Sequence, residues 1–381
     1  HFRSDDDDCG FSESIVPMQV IEGKGDLMGL IRDDLPVRGA AYKMAKMAGP
    51  GESVYTQYDR EIASRAQIWL HEEARRHDDK PWVLFVSFVS PHYPLTAPPD
   101  HYFQYFDNPD LPMPLFYGQN ERPNHPFIRD YANAFNFDDY FKTPEDIRRA
   151  VSGYFGLCSF MDEQAGKVMQ ALADTGHRND TRVIYTSDHG DALGKRGLWG
   201  KSTMYEETIG VPLIVAGEGI PQNKTIDTPA NLVDIYPFIV DCVGETGRQM
   251  VMPDHAGVSI AKLANGEQPE RTVLSEYHGM GSTTGAFAIR YGKYKYVHYA
   301  KYEPQLFDLT ADPDEAHDLA NDPSFAKVRA ECEAKLRAMF SPEEIDARAK
   351  KRQAEQLERH GGREAVIARG DLGFSPPPGV R

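Results

Sequence analysis

The sequence has 381 residues, 40% of them hydrophobic and 26% charged, which is typical of a globular protein. Its formal net charge of −16 argues against a nucleic-acid partner, because phosphate backbones are bound by basic surfaces. No run approaches the roughly eighteen apolar residues of a membrane-spanning helix, so no membrane partner is expected. Four widely spaced cysteines form no CxxC pair, which favours a cytoplasmic location over a periplasmic or secreted one.

Regular and irregular segments alternate in the first part of the chain. The opening fifty residues have poor periodicity, and we predict a surface segment or one that covers an active site. A helix is predicted from Tyr58 to Arg76. The continuous apolar run at 81–90, bounded by prolines, predicts a strand that is buried on both faces. Residues 91–142 are rich in Pro, Tyr and Phe and are predicted to form a long functional loop.

Helices and buried strands alternate over the next hundred residues. An amphipathic helix is predicted from Pro144 to Thr175, with its apolar side chains on one face. Buried strands are predicted at 182–187 and 211–216, and a helix follows at 231–243. This alternation predicts an α/β fold in which a sheet lies between layers of helices.

The pattern changes near residue 270. Four short strands with a hairpin turn at Tyr291-Gly292-Lys293 predict an antiparallel sheet; they lie at 272–277, 286–291, 294–299 and 305–309. A charged helical segment follows them. We therefore predict three parts, which are a main α/β domain at 1–265, an antiparallel β subdomain at 266–340 and a helical or irregular tail at 341–381.

The most informative stretch follows the predicted strand at 182–187. Asp188 and His189 come just after this strand, at the end where open α/β sheets bind ligands. Gly190 permits a turn tight enough for both side chains to face one metal ion. Carboxylate oxygen and imidazole nitrogen suit a divalent cation such as Ca²⁺, Mn²⁺, Mg²⁺ or Zn²⁺. A strand-end aspartate that caps the loop, with the histidine hydrogen-bonded nearby, is the alternative.

Two further side chains are candidates for an anion site. Lys201 follows a glycine-rich segment, Gly194 to Gly200, and could clamp a tetrahedral oxyanion. His92 lies just beyond the predicted strand at 81–90, between two prolines, and is a candidate general acid or anion ligand. A solvated lysine and a structural histidine are the alternatives at these two positions.

Several sequence blocks occur in the order found in a known enzyme family. They are Pro91-His92-Tyr93-Pro94, Thr186-Ser-Asp188-His189-Gly190-Asp191, Gly197-Leu-Trp-Gly200-Lys201, Val211-Pro-Leu-Ile-Val-Ala-Gly217, Asn231-Leu-Val-Asp-Ile-Tyr236, and Leu306-Phe-Asp-Leu-Thr-Ala-Asp-Pro313 with Asp318-Leu319 after it. Any one block is weak, but the ordered set is specific. Over most of residues 58–335 the chain resembles the sulfatase family, in the arylsulfatase and choline-sulfatase branch of the alkaline phosphatase superfamily. The resemblance implies an alkaline-phosphatase-like αβα layered sheet.

The resemblance also implies roles for individual residues. Asp188 and His189 would be two ligands of a divalent metal ion, with Ca²⁺ expected and Mn²⁺ or Mg²⁺ as alternatives. Lys201 and His92 would contact the sulfate oxygens, and His92 would protonate the leaving oxygen. His1 resembles the histidine of the family's Lys-x-His pair, near the nucleophile. The implied substrate is a small sulfate ester.

The chain departs from the family at the nucleophile. Such sulfatases use a Cys or Ser, converted to formylglycine, inside a Cys/Ser-x-Pro/Ala-x-Arg motif, and none of the four cysteines fits that pattern. The nucleophile, an early Asp-Asp metal pair and the first strands of the sheet are therefore expected upstream of His1. Residues 1–381 alone are expected to be inactive. Because missing strands expose a sheet edge, the isolated chain is expected to self-associate, for example as a homo-oligomer.

Three functions remain open at this point. The favoured one is metal-assisted hydrolysis of a sulfate ester through a formylglycine nucleophile. The second is hydrolysis of phosphate diesters or phosphonate monoesters, because the superfamily shares the metal and oxyanion site. The third is a non-catalytic protein that has kept the fold.

Overall fold

The computed structural model describes residues 3–4, 7–77, 80–244, 247, 249, 254–268, 270–371 and 375–379. His1, one of the predicted site residues, lies outside the described residues. The chain forms two compact units: residues 1–178, 192–200 and 353–381 belong to the first, and residues 179–191 and 201–352 belong to the second. The three-part division predicted from the sequence, with boundaries at 265 and 340, follows secondary structure and stays a prediction.

The secondary structure alternates between helices and short strands. The helices are α1 (Ala40–Met47), α2 (Val54–Glu72), α3 (Pro99–Phe106), α4 (Pro126–Phe135), α5 (Pro144–Asp174), α6 (Glu206–Ile209), α7 (Ile235–Cys242), α8 (Ile260–Ala264), α9 (Ala326–Met339), α10 (Pro342–Arg359) and α11 (Gly362–Arg369). The strands are β1 (Gly49–Pro50), β2 (Thr96–Ala97), β3 (Val183–Thr186), β4 (Leu213–Ala216), β5 (Thr272–Tyr277), β6 (Ala286–Tyr291), β7 (Tyr294–Tyr299) and β8 (Gln305–Asp308). Among the described residues, no helix combines the length and the apolar character needed to cross a membrane.

Helix α5 organises the first unit, and its prediction from the sequence is confirmed. The helix begins with a capping box, in which Thr143 and Asp146 each accept a hydrogen bond from the backbone N–H of the other. The helix packs against α2 and α3. A Cβ atom at Gly153 would overlap the Leu95 carbonyl oxygen, so glycine at this position allows the 95–97 segment to lie directly on the helix.

The prediction of a buried strand at 81–90 is wrong. Residues 81–89 form no strand and pair with no strand in the described part of the chain. Val83 is 52% exposed and Phe85 is 71% exposed, so one face of the segment is not buried. An apolar run indicates that a segment can be buried. Strand pairing depends in addition on a neighbouring strand, which local sequence does not specify.

The prediction of a continuous loop at 91–142 is also wrong. The segment contains α3 and α4, and each of these helices has a proline at its first position. Proline is favoured there because the first helical N–H has no partner inside the helix. Tyr102 and Phe127, which fall within the predicted loop, are buried core residues of these helices.

The second unit contains a two-stranded sheet and a four-stranded sheet. Strands β3 and β4 pair antiparallel, with Val183 opposite Ala216 and Thr186 opposite Leu213. Strands β5 to β8 form an antiparallel sheet in sequence order, so that prediction is confirmed. Gly292, with φ of +56°, lies in the predicted turn between β6 and β7, where a left-handed residue suits a tight hairpin.

The core of the four-stranded sheet is an apolar cluster between its strands and α9. The buried members of the cluster are Phe287, Ile289, Tyr296, Leu306, Ala320, Cys332 and Leu336. Cys332 and Leu336 are four residues apart, so they lie on the same face of α9. This cluster fixes the sheet that carries the buried Lys295 on β7.

Replacing Leu336 by Ala tests this core. The side chain is fully buried, so the Leu336→Ala variant should lose about 2–5 kcal/mol of unfolding free energy through lost contacts and a residual cavity. Urea unfolding followed by circular dichroism measures the change. Met339→Ala is the matched control, because Met339 lies on the same helix and is 44% exposed. Equal losses in the two variants would contradict the assignment of the core.

Candidate functional site

The turn after β3 places Asp188 and His189 side by side. The Ser187 hydroxyl donates a hydrogen bond to the His189 carbonyl oxygen at 2.9 Å, and the His189 backbone N–H donates to Asp188 Oδ1 at 3.0 Å. These bonds curl the chain so that His189 Nε2 lies 3.4 Å from Asp188 Oδ2. The carboxylate and the imidazole therefore lie close together in this turn.

Gly190 allows this turn to lie directly against α6. Its backbone N–H donates a hydrogen bond to the Thr208 carbonyl oxygen at 2.8 Å. A Cβ atom at this position would overlap the Glu207 carbonyl oxygen. Glycine is therefore required for the close approach of the two backbones, and the position of the Asp188–His189 pair depends on α6.

Lys201 joins the pair through the imidazole. Its Nζ atom lies 2.6 Å from His189 Nε2, and His189 Nδ1 lies 2.8 Å from the Gly190 carbonyl oxygen. A carbonyl oxygen can only accept, so Nδ1 carries the imidazole proton and Nε2 accepts from the lysine ammonium. The Lys201 side chain is partly buried and contacts His189, so it differs from the solvated lysine that is the alternative at this position.

Burial sets the electrostatics of this contact. It lowers the pKa of His189, and the nearby Lys201 ammonium lowers it further. Burial also lowers the pKa of Lys201, while the carboxylates of Asp188 and Asp191 oppose that shift. The lowered pKa of His189 favours a neutral imidazole beside the lysine.

Asp188 and His189 have the chemistry of metal ligands, although the described part of the chain contains no group of three or more His, Cys, Asp or Glu side chains that could hold a metal ion. The Asp188 side chain is 83% exposed, so its oxygens are accessible. The His189 Nδ1 proton is held by a backbone carbonyl oxygen, which is the usual arrangement when Nε2 binds a metal. The two residues therefore fit part of a metal ligand set.

His92 lies in the first unit, in a turn that a buried carboxylate holds. Asp59, fully buried on α2, accepts backbone N–H bonds from Val89 at 2.8 Å and from Ser90 at 2.9 Å. His92 Nδ1 lies 2.7 Å from the Tyr93 carbonyl oxygen, so this nitrogen carries a proton. Burial raises the pKa of the Asp59 carboxyl, and its hydrogen bonds to Ser90 and Val89 oppose the shift. Sequence reasoning missed Asp59, whose only signal was a carboxylate on a predicted amphipathic helix.

The glycine-rich segment before Lys201 belongs to the first unit and packs within it. A Cβ atom at Gly194 would lie 2.7 Å from Pro114 Cγ, and one at Gly197 would overlap the Arg122 guanidinium. Trp199 is buried and stacks on Phe141 with ring centroids 4.0 Å apart. These glycines therefore serve close packing of the chain on itself, whereas the sequence suggested close approach to a ligand.

The structure brings together three of the five predicted site residues. Asp188, His189 and Lys201 meet in the second unit, His92 belongs to the first unit, and His1 is outside the described residues. Their roles in binding and catalysis stay predictions.

Comparison with known proteins identifies the family. A family model described as Sulfatase matches residues 34–245, which is more than half of the chain. The chain belongs to the sulfatase family. A second model, described as N-sulphoglucosamine sulphohydrolase, C-terminal, matches residues 194–341 of this sulfatase-family chain.

Individual relatives agree with the family assignment. This sulfatase-family chain is 36% identical over 293 residues to the choline-sulfatase of Rhizobium meliloti (strain 1021), a match that covers 74% of the chain and 56% of the relative. The chain thus spans about half the length of the curated relatives that it matches.

Solved structures confirm the predicted alkaline-phosphatase-like fold. A 2-O GAG sulfatase is similar with a TM-score of 0.63 and 24% identity, over 79% of this chain and 66% of that protein. A phosphonate monoester hydrolase from Silicibacter pomeroyi is similar with a TM-score of 0.63 and 26% identity, over 73% of this chain and 59% of that protein.

Removal of the Asp59 carboxylate should disturb the His92 turn. The Asp59→Ala variant leaves two backbone N–H groups without their acceptor, which should cost about 1–3 kcal/mol of unfolding free energy. The NMR signals of the His92 ring should shift as well. Glu61→Ala is the control. Glu61 is exposed and pairs with Arg65 on the helix surface, so this variant should lose only about 0.5 kcal/mol of unfolding free energy. Unchanged His92 signals in Asp59→Ala would contradict this role of Asp59.

A side chain at position 190 should separate the turn from α6. We expect Gly190→Ala to lower the unfolding free energy by about 1–3 kcal/mol, because the added methyl group overlaps a backbone oxygen. Gly166→Ala is the opposite control, since Gly166 lies in α5 with nothing within 4 Å of an added Cβ, and it should gain up to about 1 kcal/mol. Denaturant unfolding of both variants measures the difference; a neutral Gly190→Ala would contradict the close contact.

Proposed function

We propose that the protein hydrolyses a small sulfate ester. The observation that carries this proposal is the Lys201–His189–Asp188 cluster, in which a partly buried ammonium lies 2.6 Å from an imidazole nitrogen beside an accessible carboxylate. A preorganised cation of this kind stabilises the charge that develops on an anionic transition state. Membership of the sulfatase family supports sulfate as that anion.

The side chains have separate roles in the proposed reaction. Lys201 binds a sulfate oxygen and holds the anion against the Asp188–His189 turn. His92 donates a proton to the leaving alcohol oxygen; because its Nδ1 proton is held by Tyr93, the transferred proton comes from Nε2 of the doubly protonated ring. His1, as the family's Lys-x-His histidine, belongs near the nucleophile.

Asp188 and His189 would hold a divalent cation in this proposal, with Ca²⁺ expected and Mn²⁺ or Mg²⁺ as alternatives. A cation on His189 Nε2 would take the place of the Lys201 ammonium at that nitrogen, and the ammonium would then bind the sulfate oxygen. When bound, the cation supplies Lewis-acid polarisation of the sulfate oxygens. The nucleophile is proposed to be a formylglycine encoded upstream of residue 1, since no cysteine of this sequence lies in the required motif. Residues 1–381 alone are therefore proposed to be inactive. We also propose that the natural gene product acts in the cytoplasm and that the protein forms homo-oligomers.

Hydrolysis of a phosphonate monoester is the second candidate function. The likeness to the phosphonate monoester hydrolase from Silicibacter pomeroyi supports it, at 26% identity over 73% of this chain. Sulfate and phosphonate groups are both tetrahedral and anionic, so the same lysine and metal ligands suit either of them. The closer sequence likeness to a choline-sulfatase, at 36% identity, favours the sulfate ester.

A direct test compares the two substrate classes. The product of the natural gene, including any sequence upstream of residue 1, should hydrolyse 4-nitrophenyl sulfate faster than 4-nitrophenyl phenylphosphonate. Lys201→Ala should lower the sulfatase rate by about 10²–10³-fold, because the cation on the sulfate oxygens is lost. Lys167→Ala, on the exposed side of α5, is the control and should keep the wild-type rate.

Two outcomes would overturn the proposal. A phosphonate rate above the sulfate rate would favour the second function. Rapid sulfate-ester hydrolysis by purified residues 1–381 would show that the nucleophile does not lie upstream.

A further inference from the structure

The sequence block from Leu306 to Leu319 has no role in the reaction proposed above, yet the structure connects it to the candidate site. Glu315 of this block is buried and contacts the first residue of α6. We propose that Glu315 and Lys295 are positioning residues, which fix the Asp188–His189 turn and the Lys201 segment through α6. This inference rests on the proposed function for its catalytic consequence, but its structural part stands apart from it.

The contact begins with three charged side chains, of which Glu315 and Lys295 are buried and Glu206 is partly exposed. The Glu315 carboxylate accepts a hydrogen bond from the Glu206 backbone N–H at 2.7 Å. Lys295, whose side chain is 1% exposed, pairs with the Glu315 carboxylate and also donates to Glu206 Oε1 at 3.1 Å. Lys295 on β7 therefore holds the side chain of Glu206, and Glu315, in the loop after β8, holds its backbone.

The turn around Glu315 orients this carboxylate. Glu315 has a left-handed backbone, with φ of +53°, which a non-glycine residue adopts only when its surroundings enforce it. Its N–H donates to the Asp312 carbonyl oxygen at 3.1 Å. The Asp312 carboxylate in turn accepts from the N–H groups of Ala316 at 3.1 Å and His317 at 2.8 Å. Asp312 thus closes the turn that presents Glu315.

From Glu206 the connection continues to the site through α6. The Thr208 hydroxyl bonds to the carbonyl oxygens of Thr203 at 2.8 Å and Tyr205 at 2.9 Å, which ties α6 to the segment that begins at Lys201. The Thr208 carbonyl oxygen accepts the Gly190 N–H at 2.8 Å. One short helix therefore links Glu315 to both halves of the Lys201–His189 contact.

Buried charges make this link sensitive to substitution. Removing one member of a buried ion pair leaves the other without compensation, which costs more than removing an exposed pair. A comparison pair is Lys293 with Asp308 at 2.6 Å, in which the lysine is 49% exposed although the aspartate is buried. The two pairs differ in the burial of the lysine, and only the Lys295–Glu315 pair contacts α6.

The test measures amide hydrogen exchange in residues 1–381 by NMR. Glu315→Ala should speed exchange at Gly190 and Thr208 at least tenfold, while the amides of Ile289 and Tyr296 in the sheet stay protected. Glu315→Gln keeps an oxygen that can accept the Glu206 N–H and should restore most of the Gly190 protection. Lys293→Gln should change neither site. Equal acceleration at all of these amides, or unchanged exchange at Gly190, would overturn the inference.

A second measurement tests the catalytic consequence in the full natural gene product. Glu315→Ala should lower kcat for an aryl sulfate at least tenfold, with Glu315→Gln closer to wild type and Lys293→Gln unchanged. If wild type shows no sulfatase activity, the proposed function fails while the exchange result still decides the structural link. If Gly190 exchange accelerates but kcat is unchanged, Glu315 and Lys295 are not positioning residues for catalysis.

Discussion

The contact between Lys201 and His189 is the interaction on which the rest of the candidate site depends. It requires an imidazole whose Nε2 is an acceptor, and the Gly190 carbonyl oxygen enforces this tautomer by holding the Nδ1 proton. It also requires the turn and the lysine segment to be held at a fixed distance. Both are tied to α6, so a four-residue helix sets the geometry of the pair.

Buried carboxylates that accept backbone N–H groups recur at the turns of both units. Asp59 holds the turn before His92, and Glu315 holds the start of α6. Asp234 is a third case: it is fully buried, accepts the Val258 N–H at 2.8 Å and pairs with both terminal nitrogens of Arg271. A carboxylate is costly to bury, so each position is stable only while its donors stay in place. Substitution of the carboxylate or loss of its donors is therefore expected to disrupt each of these turns.

Local sequence predicted those parts of the fold that local interactions determine. The capping box and apolar face of α5 lie within one segment, and the four-stranded sheet joins strands that are adjacent in sequence. The Asp188-His189-Gly190 turn was predicted because glycine and two ligand-type side chains follow a strand end. These predictions needed no knowledge of distant partners.

The remaining features depend on distant partners and could not be predicted in this way. The 81–89 segment has the composition of a buried strand, but no strand lies beside it in the described residues. Asp59 and Glu315 could not be identified from local sequence, because the groups they hold are 30 and 109 residues away. Gly194 and Gly197 suggested a ligand-binding loop, whereas their space is filled by Pro114 and Arg122.

The most direct test of the account is whether the Lys201–His189 cluster binds a tetrahedral anion. Inorganic sulfate would be titrated into residues 1–381 while the amide signals of His189, Gly190 and Lys201 are followed by NMR. We expect saturable shifts at these three residues that disappear in Lys201→Ala. Absence of these shifts in the wild-type chain would show that this cluster is not the anion site. Shifts that persist unchanged in Lys201→Ala would show the same.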